Sequence, residues 1–282
     1  MPLSIKITVI IVALFVASLW FARLWQQRAL AAYVDTLEFA ARATKSPAAT
    51  QQDLDALPPP VRRYFDHVLG EEKRTLRLAH YTQVGALRTG TRSDRWMDFT
   101  ASQVIAPMRT EFIWNARVSL LPLLHLRVRD SLIDGRGAGQ VTLLSAIPVG
   151  GAGGNMEMNS GALHRFLAEA VWFPTALLPS ENLYWEPIDE RRALATLSCG
   201  EIAVSLEFRF NERDEVAGIY TPGRWGSFDG GYKQMPWEGR FSHYTQREGI
   251  LVPSRGEVGW LANGEWQAVW RGTIVDAKLE FV

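Results

Sequence analysis

Two short stretches, PWEGRF at positions 236–241 and RGEVGW at positions 255–260, decide how the last third of the chain folds. In each stretch a carboxylate lies two residues from a guanidinium, with large apolar side chains in between or beside them. Side chains of a β-strand point alternately to opposite faces, so this period of two predicts two strands with one apolar and one ionic face. Strand alternation accounts for the pattern without any catalytic role.

A two-residue turn at Glu248–Gly249 would fix the register of these two strands. Counting outward, it pairs Trp237 with Trp260 and Phe241 with Gly256 on the apolar face, and Arg240 with Glu257 and Ser242 with Arg255 on the ionic face. The ring of Phe241 is then expected to cover the gap that Gly256 leaves in its strand.

A second turn, Asn263–Gly264, leads into the last predicted strand, EWQAVWRGTIVDAKLEF. A two-residue turn there pairs Val258 with Val269 and Glu257 with Trp270. The same count leaves Arg271 among apolar neighbours. That position indicates an error in the register, a β-bulge, or a guanidinium stacked on an aromatic ring.

The ionic face of these strands would line a cavity if the sheet curls, and otherwise it is a solvated ladder of charges. The candidate ligand-binding residues are Trp172, Glu238, Arg240, Arg255, Glu257 and Trp270. Trp172 is included because it falls on the outer side of a predicted helix, where a tryptophan needs cover from another element or from a ligand.

From about residue 74 most of the chain has the period of two that is typical of strands. The segment LLHLRVRDS at 123–131 alternates apolar and polar residues, and the turn Asp134–Gly135 follows it. Another hairpin is predicted with its loop at 211–215. Alternating strand–helix units are absent from the pattern, so an antiparallel sheet is favoured over a doubly wound one.

One strong helix is predicted to start after Asn159–Ser160 and to end at Phe173–Pro174. Its apolar stripe consists of Leu163, Phe166, Leu167, Ala170 and Val171. Arg165 and Glu169 lie opposite the stripe, where they are predicted to form an exposed pair. The glycine-rich segment VGGAGGN at 149–155 is expected to separate this helix from the first half of the chain.

The segment from Ile7 to Ala22 carries no charge and, as a helix, spans roughly 24 Å, which predicts a single membrane-spanning anchor. A retained anchor is favoured over a cleaved signal peptide because no small-x-small site directly follows the apolar run. A count of positive charges places the main domain in the cytoplasm, whereas very short N-terminal tails often stay inside regardless. The side therefore stays open, with a slight preference for the extracytoplasmic one.

Residues 26–45 are predicted to continue the anchor as an amphipathic stem, which Ser46–Pro47 would end. Its apolar stripe consists of Leu30, Tyr33, Val34, Leu37 and Ala41. A short helix, VRRYFDHVL, is predicted to follow LPPP and to stop at Gly70.

Three segments result: a membrane anchor at 1–25, a helical stem and linker at 26–70, and an antiparallel β-rich domain at 71–282. The predicted fold class is α+β, in which the anchor and stem precede a large, mostly antiparallel, curved sheet with one principal covering helix.

Composition and spacing exclude several classes of function. Thirty basic and thirty acidic residues balance, so the chain has no basic field for nucleic acid. The single Cys199 excludes an internal disulfide and a multi-cysteine metal site, and no histidine near it in sequence would make it a nucleophile. The five histidines lack the spacings of a local metal motif, and no phosphate-binding loop or nucleophile elbow occurs. We therefore expect neither a metal nor a cofactor.

Several motifs together resemble a bacterial family that is catalogued only as a domain of unknown function. They are LPPPVRRYF at 57–65, the run from Trp96 to Val118, DGRGAG at 134–139, AVWFPTALLP at 170–179, and PWEGRF followed by RGEVGW. The resemblance covers nearly all of the chain after the stem and implies a single-span or membrane-associated protein. It implies no activity and assigns no functional residue.

The favoured hypothesis is a membrane-anchored, non-enzymatic binding module for an apolar or amphipathic, lipid-like ligand. It rests on the anchor, on eleven tryptophans and on the lack of catalytic spacing. One alternative is a hydrolase or isomerase that uses Glu238 or Glu257 as a cleft carboxylate. The other is a structural envelope protein whose stem, residues 26–45, contacts a protein partner.

Overall fold

The computed structural model describes residues 2–45, 50–70, 74–91, 93–228 and 230–282. Within these ranges the helices are α1 (Leu3–Ala43), α2 (Gln51–Asp55), α3 (Pro59–Val68) and α4 (Met156–Glu169). The strands before α4 are β1 (Leu76–Leu87), β2 (Met97–Ala106), β3 (Glu111–Leu121), β4 (Leu124–Ile133), β5 (Arg136–Leu143) and β6 (Ile147–Gly153). The strands after it are β7 (Leu183–Asp189), β8 (Arg192–Cys199), β9 (Ile202–Phe210), β10 (Val216–Phe228), β11 (Gly231–Arg247), β12 (Ile250–Ala262) and β13 (Glu265–Phe281).

The strands form one antiparallel sheet, which curves into a half-barrel. Its order is β6-β5-β4-β3-β2-β1-β13-β12-β11-β10-β9-β8-β7, so two meanders meet where β1 pairs with β13. Helix α4 connects the two outer strands and packs across the concave face against strands of both meanders. The predicted α+β class, with a curved antiparallel sheet and one principal helix, is confirmed.

The predicted hairpin turns are present. Asp134–Gly135, Glu248–Gly249 and Asn263–Gly264 each have positive φ at both residues, as a two-residue type I′ turn requires. Strands β11 and β12 pair as predicted: Trp237 with Trp260, Arg240 with Glu257, Phe241 with Gly256, and Ser242 with Arg255. Trp237 and Phe241 are buried, whereas Arg240 and Glu257 are exposed, so the sorting into two faces is also confirmed.

The predicted register of β12 with β13 is wrong by one residue. Val258 faces Trp270 rather than Val269, and Glu257 faces Arg271 rather than Trp270. A slip of one residue moves every side chain beyond it to the other face of a strand. Trp270 consequently joins the apolar side of the sheet, and Arg271 joins the ionic side.

A β-bulge next to Gly259 causes this shift, because the register breaks between Val258 and Gly259. A Cβ at Gly259 would lie 2.5 Å from the carbonyl oxygen of Gln267, so only glycine fits this close approach. The predicted register placed Arg271 among apolar residues. In the structure its guanidinium stacks 4.4 Å from the centre of the Trp96 ring.

Helix α4 begins earlier than the predicted start after Asn159–Ser160. Asn155 is the N-cap, and its side chain accepts a hydrogen bond from the amide of the third helical residue. Asn159 instead accepts a hydrogen bond of 2.8 Å from the amide of Gly137 in β5, which attaches the first turn of the helix to the sheet. Asn159, at the predicted start of the helix, therefore has a tertiary role instead.

The glycine-rich segment does more than separate the two halves of the chain. Residues Ile147–Gly153 form the edge strand β6, which pairs with β5. The predicted stripe of α4 is confirmed, because all five of its members are buried: Leu163, Phe166, Leu167, Ala170 and Val171. This stripe packs into the principal core of the concave side.

The anchor and the stem form one helix, α1, without a break. Helix α1 contains a window that is long and apolar enough to cross a membrane, and the described part of the chain buries none of that window. Such a segment is typical of a single membrane span and of a signal sequence.

The stem half of α1 packs on the outer face of the sheet. Leu37 and Ala41 are buried there in a cluster with Leu78, Val104, Ala106 and Ile113. Leu30 and Val34 pack against the same cluster, whereas Tyr33, which was predicted to share the stripe, is exposed. The chain's own sheet therefore covers the stripe that the partner-binding alternative required.

The helix ends at Ala43, and the predicted terminator Ser46–Pro47 lies outside the described residues. Helix α3 begins at Pro59 with proline in its first turn, as predicted, and the chain leaves it through Gly70 at a φ of 64°.

The packing of α4 on β5 can be tested at Gly137. A Cβ there would overlap the carbonyl oxygen of Met158 and lie 2.9 Å from the Cβ of Ala162, so the helix has to shift. We expect Gly137→Ala to lower the free energy of unfolding by about 2 kcal/mol, or the melting temperature by about 4–8 °C. The matched control is Gly90→Ala, because no described residue other than its chain neighbours lies within 4 Å of a Cβ at Gly90. Equal melting temperatures for the two variants would contradict the close packing of α4 on β5.

Acid sensitivity is expected from His164, which is buried in α4 with its Nδ1 3.0 Å from the carbonyl oxygen of Ser160. Burial lowers the pKa of His164 from 6.5 to about 4, so the unfolded chain binds more protons between these values. The free energy of unfolding therefore falls as the pH decreases from 6.5 to 4, by up to about 3 kcal/mol.

Chemical denaturation at pH 7 and pH 4 measures this loss. His164→Gln should lose less stability between the two pH values than the natural chain does, whatever its stability at pH 7. His67→Gln, at an exposed histidine of α3, should lose as much as the natural chain. An unchanged loss in His164→Gln would refute the assignment.

Candidate functional site

A cavity of about 270 Å³ lies between α4 and the concave face of the sheet. Five tryptophans line it: Trp114, Trp172, Trp237, Trp260 and Trp270. The other apolar lining residues are Leu87, Val128, Ala168, Phe241, Val258 and Val269. We call this space the tryptophan cavity.

The tryptophans reach the cavity from five separate elements. Trp237 and Trp260 face each other on β11 and β12, Trp114 comes from β3, and the bulge at Gly259 turns Trp270 inward. Trp172 lies in the 3-10 turn that ends α4. The concave curvature of the sheet is what brings these rings together.

A row of three glycines lies in the sheet beneath aromatic rings of the concave side. Gly85 of β1 pairs with Gly272 of β13, which in turn pairs with Gly256 of β12. An aromatic residue lies at each end of this row: Phe99 of β2 pairs with Gly85, and Phe241 of β11 pairs with Gly256. A Cβ at any of the three glycines would meet an aromatic ring. The distance would be 2.5 Å from Gly272 to Trp270, 2.9 Å from Gly85 to Phe99, and 3.1 Å from Gly256 to Trp172. Aromatic rings thus occupy the space above glycine, and Phe241 covers Gly256 as predicted.

Arg165 of α4 forms a partly buried ion-pair network at one side of the cavity. Its Nη1 is 2.8 Å from Asp130 of β4, its Nε is 2.7 Å from Glu169, and its guanidinium stacks 4.8 Å from Trp114. The side chains of Arg165 and Glu169 are only 17% and 13% exposed. The predicted exposed pair is therefore wrong, because the side of α4 opposite its stripe also faces the curved sheet.

A chain of hydrogen bonds continues this network into the sheet. Gln103 donates to Glu169 at 2.6 Å and accepts from Gln83 at 2.7 Å, and Gln83 accepts from the indole N–H of Trp114 at 2.8 Å. Gln83 and Gln103 are each 1% exposed. Because these bonds satisfy the polar groups, they fix Trp114 in orientation.

Arg224 of β10 is the second buried guanidinium of the cavity. It stacks on Trp237 at 4.6 Å and on Trp260 at 5.3 Å, and its Nη2 donates to the carbonyl oxygen of Gly161 at 3.0 Å. Burial, together with the charge of Arg165, lowers the pKa of Arg224 to about 10, so it stays positively charged at neutral pH.

Three donors of the lining residues have no hydrogen-bond partner in the described part of the chain. They are Nε of Arg88, Nε1 of Trp172 and Nε of Arg224, and all three atoms are buried. A buried donor without a partner costs about 1–3 kcal/mol. The cavity therefore combines an aromatic wall with unused donors, an arrangement suited to an apolar molecule with an acceptor-bearing head.

The structure divides the six sequence-predicted site residues between the two faces of the sheet. Trp172, Trp270 and Glu257 line the tryptophan cavity, whereas Arg240, Arg255 and, again, Glu257 line a groove of about 540 Å³ on the outer face. The tryptophan face of the β11–β12 pair is the concave one. The ionic residues of this pair therefore do not form a group inside the half-barrel.

Glu238 is bound on the outer face by two guanidiniums. Its carboxylate is 2.9 Å from Arg240 and 3.2 Å from Arg209, and Arg240 also stacks 3.8 Å from the ring of Trp266. This is the geometry of a structural ion pair. Glu257, the other candidate carboxylate, is exposed and forms no ion pair with a described residue.

The sequence interpretation missed the charged residues of the cavity, although one of them left a signal. Asp130 continues the apolar register of Leu126 and Val128 and precedes Leu132 in it, so a carboxylate sits where a buried side chain is expected. No comparable signal marks Arg224, because an irregularity between Thr221 and Arg224 interrupts the alternation of β10.

Among solved structures, the chain is similar to the LolA superfamily protein NE2245 from Nitrosomonas europaea. The TM-score is 0.39 and the identity 10%, over 83% of this chain and 94% of that one. No curated protein matches the sequence. Residues 47–272 match the family of unknown function DUF6544, a range that begins after the stem helix and includes nearly all of the sheet. The resemblance to an uncharacterised family is thus confirmed, and the chain belongs to the DUF6544 family.

Proposed function

We propose that this protein is a membrane-anchored module that binds one amphipathic, lipid-like molecule in the tryptophan cavity and catalyses no reaction. The observation that carries the proposal is the coincidence, in one cavity, of five tryptophans with the unused donors of Arg88, Trp172 and Arg224. Apolar surface that leaves water contributes roughly 25 cal/mol per Å², so the rings supply affinity and the donors supply orientation.

The size of the cavity favours a small occupant. Ligand pockets range from about 300 to 1,000 Å³, and this cavity, at about 270 Å³, lies just below the small end of that range. One acyl chain or one ring system suits such a volume better than two chains do. The head of the ligand would carry a carboxylate, a phosphate or a carbonyl, because the unused groups are all donors.

The anchor would keep the module at a membrane. Residues 1–25 would span the bilayer, the stem would hold the sheet beside it, and the β-rich domain at 71–282 would carry the ligand.

Photocrosslinking tests the location of the ligand. The detergent-solubilised full chain would be irradiated with a diazirine derivative of dodecanoic acid, with and without an excess of unlabelled dodecanoate. We expect Val269→Phe, which fills the cavity, to reduce crosslinking to the background seen with competitor. The matched control is Val275→Phe, at a half-exposed position of the same strand, which should leave crosslinking unchanged. Equal crosslinking in both variants would exclude the tryptophan cavity as the binding site.

Removing a donor should weaken binding without closing the cavity. Hydrogen bonds to charged groups contribute about 1.5–3 kcal/mol, so Arg224→Gln is expected to raise the dissociation constant for dodecanoate by about tenfold or more. Arg271→Gln is the control, since it removes a guanidinium that also stacks on a tryptophan but lies on the outer face. Tryptophan fluorescence titration measures both values. A dissociation constant that Arg224→Gln leaves unchanged would rule out a role for this donor.

A further inference from the structure

A second, smaller cavity lies on the other side of the sheet, between helix α1 and the outer face of β3–β5. Its volume is about 140 Å³. Gln26 and Gln27 line it from the helix, Arg127 and Arg129 from β4, and Thr142 and Ser145 from β5 and the turn that follows. None of the described lining residues is acidic.

Four arginines lie in or near this cavity, and the described residues that line it include no carboxylate. Arg127 and Arg129 line it, and the charges of Arg23 and Arg117 are close enough to help lower the pKa of Arg127, for which burial is the main cause. None of the four forms an ion pair with a described residue. Like charges that are held together in a partly buried place repel one another, and a bound anion would relieve this repulsion.

The polar groups around the arginines are ordered. Ser145, which is buried, lies 2.9 Å from Nε2 of His125 and accepts from Nε of Arg127 at 3.4 Å. Arg129 donates from Nη2 to the carbonyl oxygen of Gln26 at 3.4 Å, which ties the strand to the helix. Nε of Arg129 is a buried donor that no described residue satisfies.

The position along α1 indicates what kind of anion this would be. The apolar segment ends at Ala22, directly before Arg23, so a helix that spans a bilayer presents Arg23 at the level of the lipid headgroups. Leu37 of α1 packs near Ile113 at the start of β3, whereas Arg23 lies near Arg117 further along β3. The ends of β3 and β5 therefore point toward the membrane.

Exposed apolar side chains lie at these strand ends. Leu121 and Leu123, at the turn from β3 to β4, are 62% and 94% exposed, and Val149 of β6 is 55% exposed. Apolar tips beyond a group of arginines match the order of a bilayer, in which acyl chains lie beneath charged headgroups.

We propose that Arg117, Arg127 and Arg129, together with Arg23 of the helix, bind the phosphate of an anionic phospholipid headgroup. A guanidinium offers paired N–H donors that match phosphate oxygens, and several arginines around one phosphate give a strong site. This contact would hold the sheet against the bilayer at a fixed height. The inference rests on the proposed anchoring by α1, and it is independent of any ligand in the tryptophan cavity.

Native mass spectrometry of the detergent-solubilised full chain tests the site with phosphatidylglycerol and phosphatidylcholine as probes. We expect phosphatidylglycerol adducts to persist at collision energies that remove phosphatidylcholine. Replacing both lining arginines, by Arg127→Gln with Arg129→Gln, should lower the affinity for phosphatidylglycerol by about thirtyfold. The control, Arg191→Gln with Arg213→Gln, removes the same charge from two exposed positions and should change nothing.

Two further variants keep the test decisive. Arg127→Lys with Arg129→Lys keeps the charge but loses the paired donors. If these arginines bind a phosphate, this variant should have an intermediate affinity for phosphatidylglycerol. Val269→Phe in the tryptophan cavity should leave the preference for phosphatidylglycerol intact, and a loss of preference there would assign the adducts to that cavity instead.

Equal retention of both lipids, or an unaffected double glutamine variant, would overturn the proposal. Complete competition by inorganic phosphate would also overturn it, because the site would then be one for free anions. A chain that is missing from the membrane fraction of cells would contradict the anchoring itself, whereas a membrane-bound chain without lipid preference would contradict only the headgroup site.

Discussion

The pairing of β1 with β13 is the constraint on which the rest of the structure depends. These two strands join meanders that are otherwise separate, and their contact brings Gly85 opposite Gly272. A Cβ at Gly85 would lie 2.8 Å from the Cα of Gly272, so the strands approach this closely only with glycine at the crossing. The same pair leaves room above the sheet for the rings of Phe99 and Trp270, which stack at 5.8 Å. One backbone contact thus joins the two halves of the sheet and makes room for aromatic rings on its concave side.

The polar side of that cavity is held at an energetic cost. Moving a guanidinium out of water is expensive, and two carboxylates offset much of this cost for Arg165 through short hydrogen bonds. Arg224 has no carboxylate partner among the described residues and contacts two indole rings and one carbonyl oxygen. The two arginines therefore differ in role: Arg165 completes a closed structural network, whereas Arg224 keeps a donor free beside the aromatic wall.

Much of the fold follows from local patterns, because the glycine turns and the period of two act within a few residues. The register of β11 with β12 and the apolar stripe of α4 could be predicted for this reason. The register of β12 with β13 could not, since the bulge at Gly259 depends on how closely Gln267 of the neighbouring strand approaches.

The candidate site was harder to predict than the fold, because it depends on curvature. The interpretation of Arg165 and Glu169 as an exposed pair assumed that one side of a helix faces solvent, but α4 lies inside a half-barrel that covers both of its sides. Curvature likewise decides which face of a strand pair becomes concave. Strand alternation predicts that the tryptophans and the charged residues lie on opposite faces of the sheet. It does not predict which of the two faces becomes concave and encloses a cavity.

The two proposed sites occupy opposite faces of a single sheet, and this arrangement makes them separable. Helix α1 packs on the outer face of β1–β3, whereas α4 covers the tryptophan cavity on the concave face. The arginines of the outer cavity and Asp130 of the inner network nevertheless share strand β4, where Arg129 and Asp130 are adjacent. Adjacent residues of a strand point in opposite directions, so a headgroup bound on one side and a ligand bound on the other would contact the same backbone without sharing a side chain. Strand β3 is shared in the same way, because it carries Trp114 of the inner cavity and Arg117 of the outer site. Any coupling between the two sites would therefore pass through the positions of β3 and β4.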